Sequence, residues 1–105
     1  MTADMFTVKK VRAITQIKKL LEDPNLVEFK IGKTDNLEDR ESVHKSEGYT
    51  QFISLAKLDT LEEMNQLEDE LITYLGRNPK CTNKKGGGGG DTSTSNEHYV
   101  YVITK

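Results

Sequence analysis

Phe29-Lys30-Ile31-Gly32-Lys33-Thr34-Asp35-Asn36-Leu37, followed by Arg40 and His44, joins a short apolar strand to a helix carrying two cationic groups one turn apart. Val27, Phe29 and Ile31 alternate with Glu28 and Lys30, the period of a half-buried strand running from about Leu26 to Ile31. Gly32 then permits a close or positive-φ backbone turn. Asp35 is placed to cap a helix from about Asn36 to Lys45, with Glu38 at its third position completing an Asp version of the capping box. Residues three and four apart are neighbours on a helix, so Leu37, Arg40 and His44 share one side. With Leu37 turned inward, Arg40 and His44 border the core. The alternative is an Arg40 paired with Glu38 or Glu41 on a solvated face.

The remaining elements follow from this junction. Met1 to Asp4 reads as a frayed start, and Thr7 to Leu21 as a helix with Val11, Ile14, Ile17, Leu20 and Leu21 at helical spacing, ended by Asp23-Pro24. Glu47-Gly48 makes a turn. Thr50 to Leu58, with Phe52, Ile53 and Leu55, fits a second strand. Asp59 or Thr60 caps a third helix from Leu61 to about Leu75, closed by Gly76 and Pro79. His98 to Ile103 forms a third strand, Val100 and Val102 alternating with Tyr99, Tyr101 and Ile103. The expected fold is α+β: a small three-stranded antiparallel sheet flanked by three helices, in the order α-β-α-β-α-β.

Between the last helix and last strand, residues 80–96 change composition abruptly, with Lys84-Lys85, five glycines from Gly86 to Gly90 and a Thr/Ser run. That is a flexible connector by composition. It is no Walker loop, since no Gly-Lys-Ser/Thr ends it, no strand precedes it and no helix pattern follows it. A second reading lets it order on a phosphate backbone through Lys84 and Lys85.

At 105 residues the chain is expected to form a single domain, 1–105, with one modest core. Only 34% of residues are hydrophobic against 30% charged, so that core must be compact. No apolar run approaches a membrane span and no signal-peptide pattern opens the sequence. Cys81 is the sole cysteine, and it builds neither an internal bridge nor, with His44 and His98 so far apart in sequence, a cysteine-based zinc site. An intracellular protein, cytoplasmic or nuclear, is the default expectation. The net charge of −2 disfavours nucleic-acid binding taken alone. Its distribution is uneven: residues 1–33 and 71–105 are net basic and residues 34–70 strongly acidic, so a basic face forms if the two ends meet in space.

The third helix carries an independent signal. At about 100° per residue, Leu61, Met64, Leu67, Leu71, Ile72 and Leu75 span one apolar arc, outside which Glu62, Glu63, Asp69 and Glu70 fall. Glu68 falls inside it. A carboxylate on a buried face needs a cation, a hydrogen-bond donor or a metal as partner. A structural salt bridge to Arg40 or to a lysine of the first helix would also satisfy it.

The aromatic-x-Ile-Gly-Lys-Thr run, with Leu37, Arg40 and His44 behind it, resembles the second half of a GIY-YIG nuclease core. That resemblance implies that Arg40 contacts the scissile phosphate, with Phe29, Ile31 and Gly32 as the motif positions. It also picks Glu68, in Leu67-Glu68-Asp69-Glu70-Leu71, as the metal-binding carboxylate, holding Mg²⁺ or Mn²⁺ together with waters and substrate phosphate. The family's opening Gly-Ile-Tyr strand has no counterpart before Phe29. Instead, His98-Tyr99-Val100-Tyr101-Val102-Ile103-Thr104 looks like that strand, which implies a circularly permuted core with Tyr101 at the family tyrosine and Tyr99 on the same strand. A competing account makes this an ordinary terminal strand of a core that has lost its first one, the two tyrosines simply covering the sheet. Phe29 also lacks the hydroxyl of the YIG tyrosine.

The function so implied is metal-dependent hydrolysis of DNA phosphodiesters. Arg40 would stabilise phosphoryl charge, a tyrosine or His44 would help a water attack, and Lys33, Lys84 and Lys85 would meet the nucleic-acid backbone. The alternative is a catalytically inactive module of the same kind that binds nucleic acid or a protein partner through the same groove. A protein partner or a separate targeting domain is the expected accompaniment of so small a nuclease.

Overall fold

The computed structural model describes residues 5–83 and 97–105. Its elements are α1 (Met5–Leu21), β1 (Phe29–Thr34), α2 (Leu37–Ser46), β2 (Gln51–Leu58), α3 (Leu61–Leu75) and β3 (His98–Thr104). The class and the α-β-α-β-α-β order are those read from the sequence. The sheet runs β1-β3-β2, with β3 antiparallel to both neighbours, so the last strand in the chain is the central one. Its burial follows from that place: both edges are paired and both faces covered, and Val100, Tyr101, Val102, Ile103 and Thr104 are all buried.

Directly opposed residues of an antiparallel pair point to the same face. Phe29 and Ile31 of β1 lie opposite Thr104 and Val102, and Ile53 of β2 also faces Val102. This face packs against Ala13 and Ile17 of α1 and Met64, Leu67, Leu71 and Leu75 of α3, which form one apolar cluster with Leu55, Leu58, Val100 and Val102. The other face carries Lys30, Gly32, Phe52, Ser54, Tyr101 and Ile103. It is covered by α2, whose one buried residue is His44. A bulge between Ser54 and Ala56 re-sets the register of β2, so that Ala56, opposite Val100, and Leu58 fall on the side of the apolar cluster.

The helix ends follow capping chemistry with one correction. Thr60 accepts the Glu63 N–H at 3.1 Å to start α3, and the Gly76 N–H returns to the Ile72 carbonyl at its end. At α2 the cap is Asn36 rather than Asp35: Asn36 Oδ1 accepts the Asp39 N–H at 3.1 Å while Thr34 Oγ1 holds the Asn36 N–H at 3.0 Å. The strand runs to Thr34 and its last hydroxyl fixes the turn, which moves the cap by one residue. The first strand is accordingly displaced from the expected Leu26 to Ile31. Val27, 70% exposed, lies beyond the end of the core even though it has the parity of Phe29. Gly32 makes no turn; it lies within β1, and Gly48, at φ 98°, is the glycine with a left-handed backbone among the described residues.

The start of the segment expected to be a loop is tied to the sheet. The Phe29 N–H donates to the Lys80 carbonyl at 2.8 Å and the Thr82 N–H to the Phe29 carbonyl at 2.9 Å. Asn83 then uses its side-chain amide as a strand would use its backbone, accepting from Ile31 N–H and donating to Ile31 C=O, both at 2.7 Å. This covers part of the outer edge of β1, where unpaired backbone groups would otherwise remain. Among the described residues, no helix is long and apolar enough to cross a membrane.

Candidate functional site

Tyr101 is the centre of the polar chemistry. It sits on the central strand opposite Gly32, and the tip of its ring lies over that glycine. A Cβ at position 32 would stand 2.4 Å from Tyr101 Cζ and Oη, so the absence of a side chain at Gly32 is what gives the phenol its place. Phe52 stacks on the ring at 4.5 Å between centroids and 23° between planes. The hydroxyl meets His44 Nε2 at 2.8 Å, and His44 Nδ1 meets Glu47 Oε1 at 2.7 Å. Carboxylate, imidazole and phenol therefore form one hydrogen-bonded chain. His44 is enclosed by Tyr49 on its edge and by Phe52 and Tyr101 on the sheet side. Burial is the main reason that the Tyr101 hydroxyl is pushed up to about 12; Arg40 counters it, and Glu68 and Glu47 add to it.

Glu68 arrives from the opposite side of the sheet. It is 9% exposed on α3 and meets Lys33 of β1 at 3.4 Å through Oε1. Lys33 in turn donates to Asn65 Oδ1 at 2.8 Å. The partner foreseen as Arg40 or a lysine of α1 is thus a lysine of the edge strand. Desolvation raises the Glu68 carboxyl above its ordinary range, and the attraction of Lys33 and, more weakly, Lys30 only partly offsets it. A carboxylate left in this state still gains from a further cation.

Arg40 does not border the core as expected. It is exposed on α2, because the buried stripe of this short helix is narrowed to His44. Nor does it pair on the surface: Glu41 is taken by Lys45 at 3.4 Å, and Arg40 has no ion pair among the described residues. Its guanidinium nevertheless stands near enough to Tyr101 to favour the phenolate. One phenol thus feels both the Arg40 cation and the Glu68 anion, delivered by α2 and α3 from the two sides of β1.

The other sequence candidates divide. Phe29 and Ile31 are core residues, turned to the face opposite Tyr101, so these motif positions build the sheet. Tyr99 lies two residues from Tyr101 on the same strand face, but its ring lines an acidic hollow of about 460 Å³ with Asp35, Asn36, Leu37, Glu38 and Glu97. Lys57 stands over that ring at 5.8 Å. Lys84 and Lys85 fall outside the described residues. Glu47, Asn65 and Asn83 were not foreseen. Glu47 was legible, three residues after His44 at a helix end; the two asparagines act across elements and leave no local signal.

Among the described residues no group of three His, Cys, Asp or Glu side chains could hold a metal ion. The donor set at Glu68 fits only a hard cation that keeps most of its waters and shares a substrate phosphate. No family model matches the chain, nor does any curated protein or solved structure.

Proposed function

We propose that this domain is a phosphodiester hydrolase of GIY-YIG type acting on DNA, with the C-terminal strand standing where that family has its first. The observation that carries the reading is the buried Tyr101 hydroxyl, held over Gly32 and hydrogen-bonded to His44 at 2.8 Å, on the sheet face covered by the helix that carries Arg40, which is exposed and without an ion pair among the described residues. The central place of β3, with Tyr101 opposite Gly32, supports the permuted arrangement.

Each side chain has a role suited to its surroundings. Arg40, free of partners among the described residues, is available for bidentate contact with a phosphate and for the charge that grows on its oxygens. Lys33 and Lys30 place positive charge beside Glu68. Glu68 would hold Mg²⁺ or Mn²⁺, which supplies Lewis-acid stabilisation of the phosphoryl group when bound. Tyr101 is poised as a proton relay: its hydroxyl passes a proton to His44 Nε2 while its oxygen takes one from the attacking water. The proton held on His44 is given back when the leaving oxygen departs, so none is gained or lost over the cycle.

A second reading rests on the 3.4 Å contact between Lys33 and Glu68, which already supplies the carboxylate with a cation. In that case the same groove serves an inactive module that binds nucleic acid or a protein partner. Plasmid nicking with Mg²⁺ or Mn²⁺, run beside Arg40→Ala and Glu68→Ala, separates the two. The hydrolase reading expects nicking that both substitutions abolish. Equal activity in all three proteins, or none in the unaltered one, overturns it.

A further inference from the structure

Glu47 belongs to no motif in the sequence, yet its carboxylate is one of the two groups that meet the ring nitrogens of His44. A carboxylate can only accept, so the 2.7 Å contact with Nδ1 requires the Nδ1 proton to point at Glu47. In the neutral ring Nε2 is then bare, and the Tyr101 hydroxyl at 2.8 Å must donate to it. The local backbone holds this arrangement. Glu47 is the C-cap of α2, with its N–H on the carbonyls of Val43 and His44, and Gly48 turns the chain at φ 98° so that the Tyr49 N–H also returns to the His44 carbonyl. The Glu47 side chain is 54% exposed while that of His44 is 9% exposed, so the carboxylate spans from solvent to the buried ring.

We propose that Glu47 is the positioning residue of this site: by fixing His44 in the Nδ1–H tautomer it makes Nε2 the acceptor that receives the Tyr101 proton. The tautomer assignment stands on geometry alone; its consequence for turnover rests on the hydrolase reading. Without Glu47 the ring samples the Nε2–H tautomer, in which Tyr101 faces a donor and the relay runs the wrong way. Carboxylates that orient a histidine in this manner act on rate through the histidine rather than through substrate.

The test is two-bond ¹H–¹⁵N correlation of the histidine rings at pH 8, which distinguishes a protonated ring nitrogen from a bare one. The His44 pattern is identified by its loss in His44→Gln and by its retention in His98→Gln. The unaltered protein is expected to show Nδ1 protonated and Nε2 bare. Glu47→Ala should lose that distinction as the tautomers mix, while Tyr101→Phe should keep it. An Nε2–H tautomer in the unaltered protein, or an unchanged pattern in Glu47→Ala, overturns the proposal. In the nicking assay Glu47→Ala should slow turnover by about 10–100-fold, with the apparent affinity for plasmid unchanged. An unaltered protein that never nicks ends the hydrolase reading, and the ring spectra still decide the role of Glu47.

Discussion

Replacing Gly32 by alanine should dislodge Tyr101 and uncouple it from His44. The added Cβ would lie 2.4 Å from Cζ and Oη and 2.7 Å from Cε1, whereas carbon atoms in contact sit about 3.5–4.0 Å apart. The ring tip must therefore retreat by roughly 1 Å or more. A side-chain end normally yields cheaply, but this ring is 4% exposed and stacked on Phe52, so the displacement is resisted. Moving Oη by that amount stretches its 2.8 Å bond to His44 beyond hydrogen-bonding range. Overpacking costs about 1–3 kcal/mol. A buried hydroxyl without its partner costs about another 1–3 kcal/mol. Gly32 has no left-handed backbone to lose, so alanine brings back up to about 1 kcal/mol through the unfolded chain. The net expectation is a destabilisation of about 1–6 kcal/mol, measured by urea unfolding. The second arm repeats Gly32→Ala in a Tyr101→Ala background, where the clash has no target and the cost should largely vanish. A single variant within about 0.5 kcal/mol of the parent, or the same cost in both backgrounds, would refute the placement of the phenol over Gly32.

Glu68→Gln should raise the melting temperature near neutral pH, because the amide escapes the desolvation that raises the carboxyl. The sign follows from linkage: with the folded value above the ordinary 4.5, protonation favours the folded state, so that contribution is full below 4.5 and lost as pH rises through the raised value. The advantage of the variant over the parent should therefore shrink on acidification; an advantage that grows would contradict the burial of this carboxyl. Tyr101 should remain a phenol until pH approaches about 12, read as absorbance at 295 nm lost in Tyr101→Phe, and its share of stability should fall as pH climbs from 10.0 to about 12. Asn83→Ala removes both bonds to the Ile31 backbone and should cost about 1–3 kcal/mol, with faster amide exchange at Ile31; unchanged protection there would show that the side chain does not cover this edge.

The elements were legible because each announces itself within its own few residues. Apolar spacing fixes α3 to its ends at Leu61 and Leu75, and Thr60 is a cap by its chemistry alone. Boundaries slipped where a tertiary contact outweighed the local pattern. Val27 has the right parity for the core but no partner there, and the Thr34 hydroxyl, by holding the Asn36 N–H, sets the cap on Asn36. Glu68 was singled out correctly as a carboxylate on an apolar arc. Its partner was not, because periodicity tells which way a residue faces and nothing about what waits opposite. Lys33 reaches Glu68 only because β1 and α3 pack together.

The same distinction explains why Arg40 departs from expectation while His44 does not. Both lie on the side of α2 marked by Leu37, but α2 has ten residues and one buried position, which the Tyr101–Phe52 aromatic layer gives to His44. A long helix over a wide sheet would bury both. A short helix over a three-stranded sheet buries the ring and leaves the guanidinium at the rim. On the proposed hydrolase reading that division is favourable, since the buried ring keeps its hydrogen bond to Tyr101 while the cation stays open to a substrate phosphate. The narrowness of the sheet thus separates the two side chains that the sequence placed side by side, and Gly32, by leaving room for the Tyr101 ring, lets that hydroxyl reach His44 at 2.8 Å.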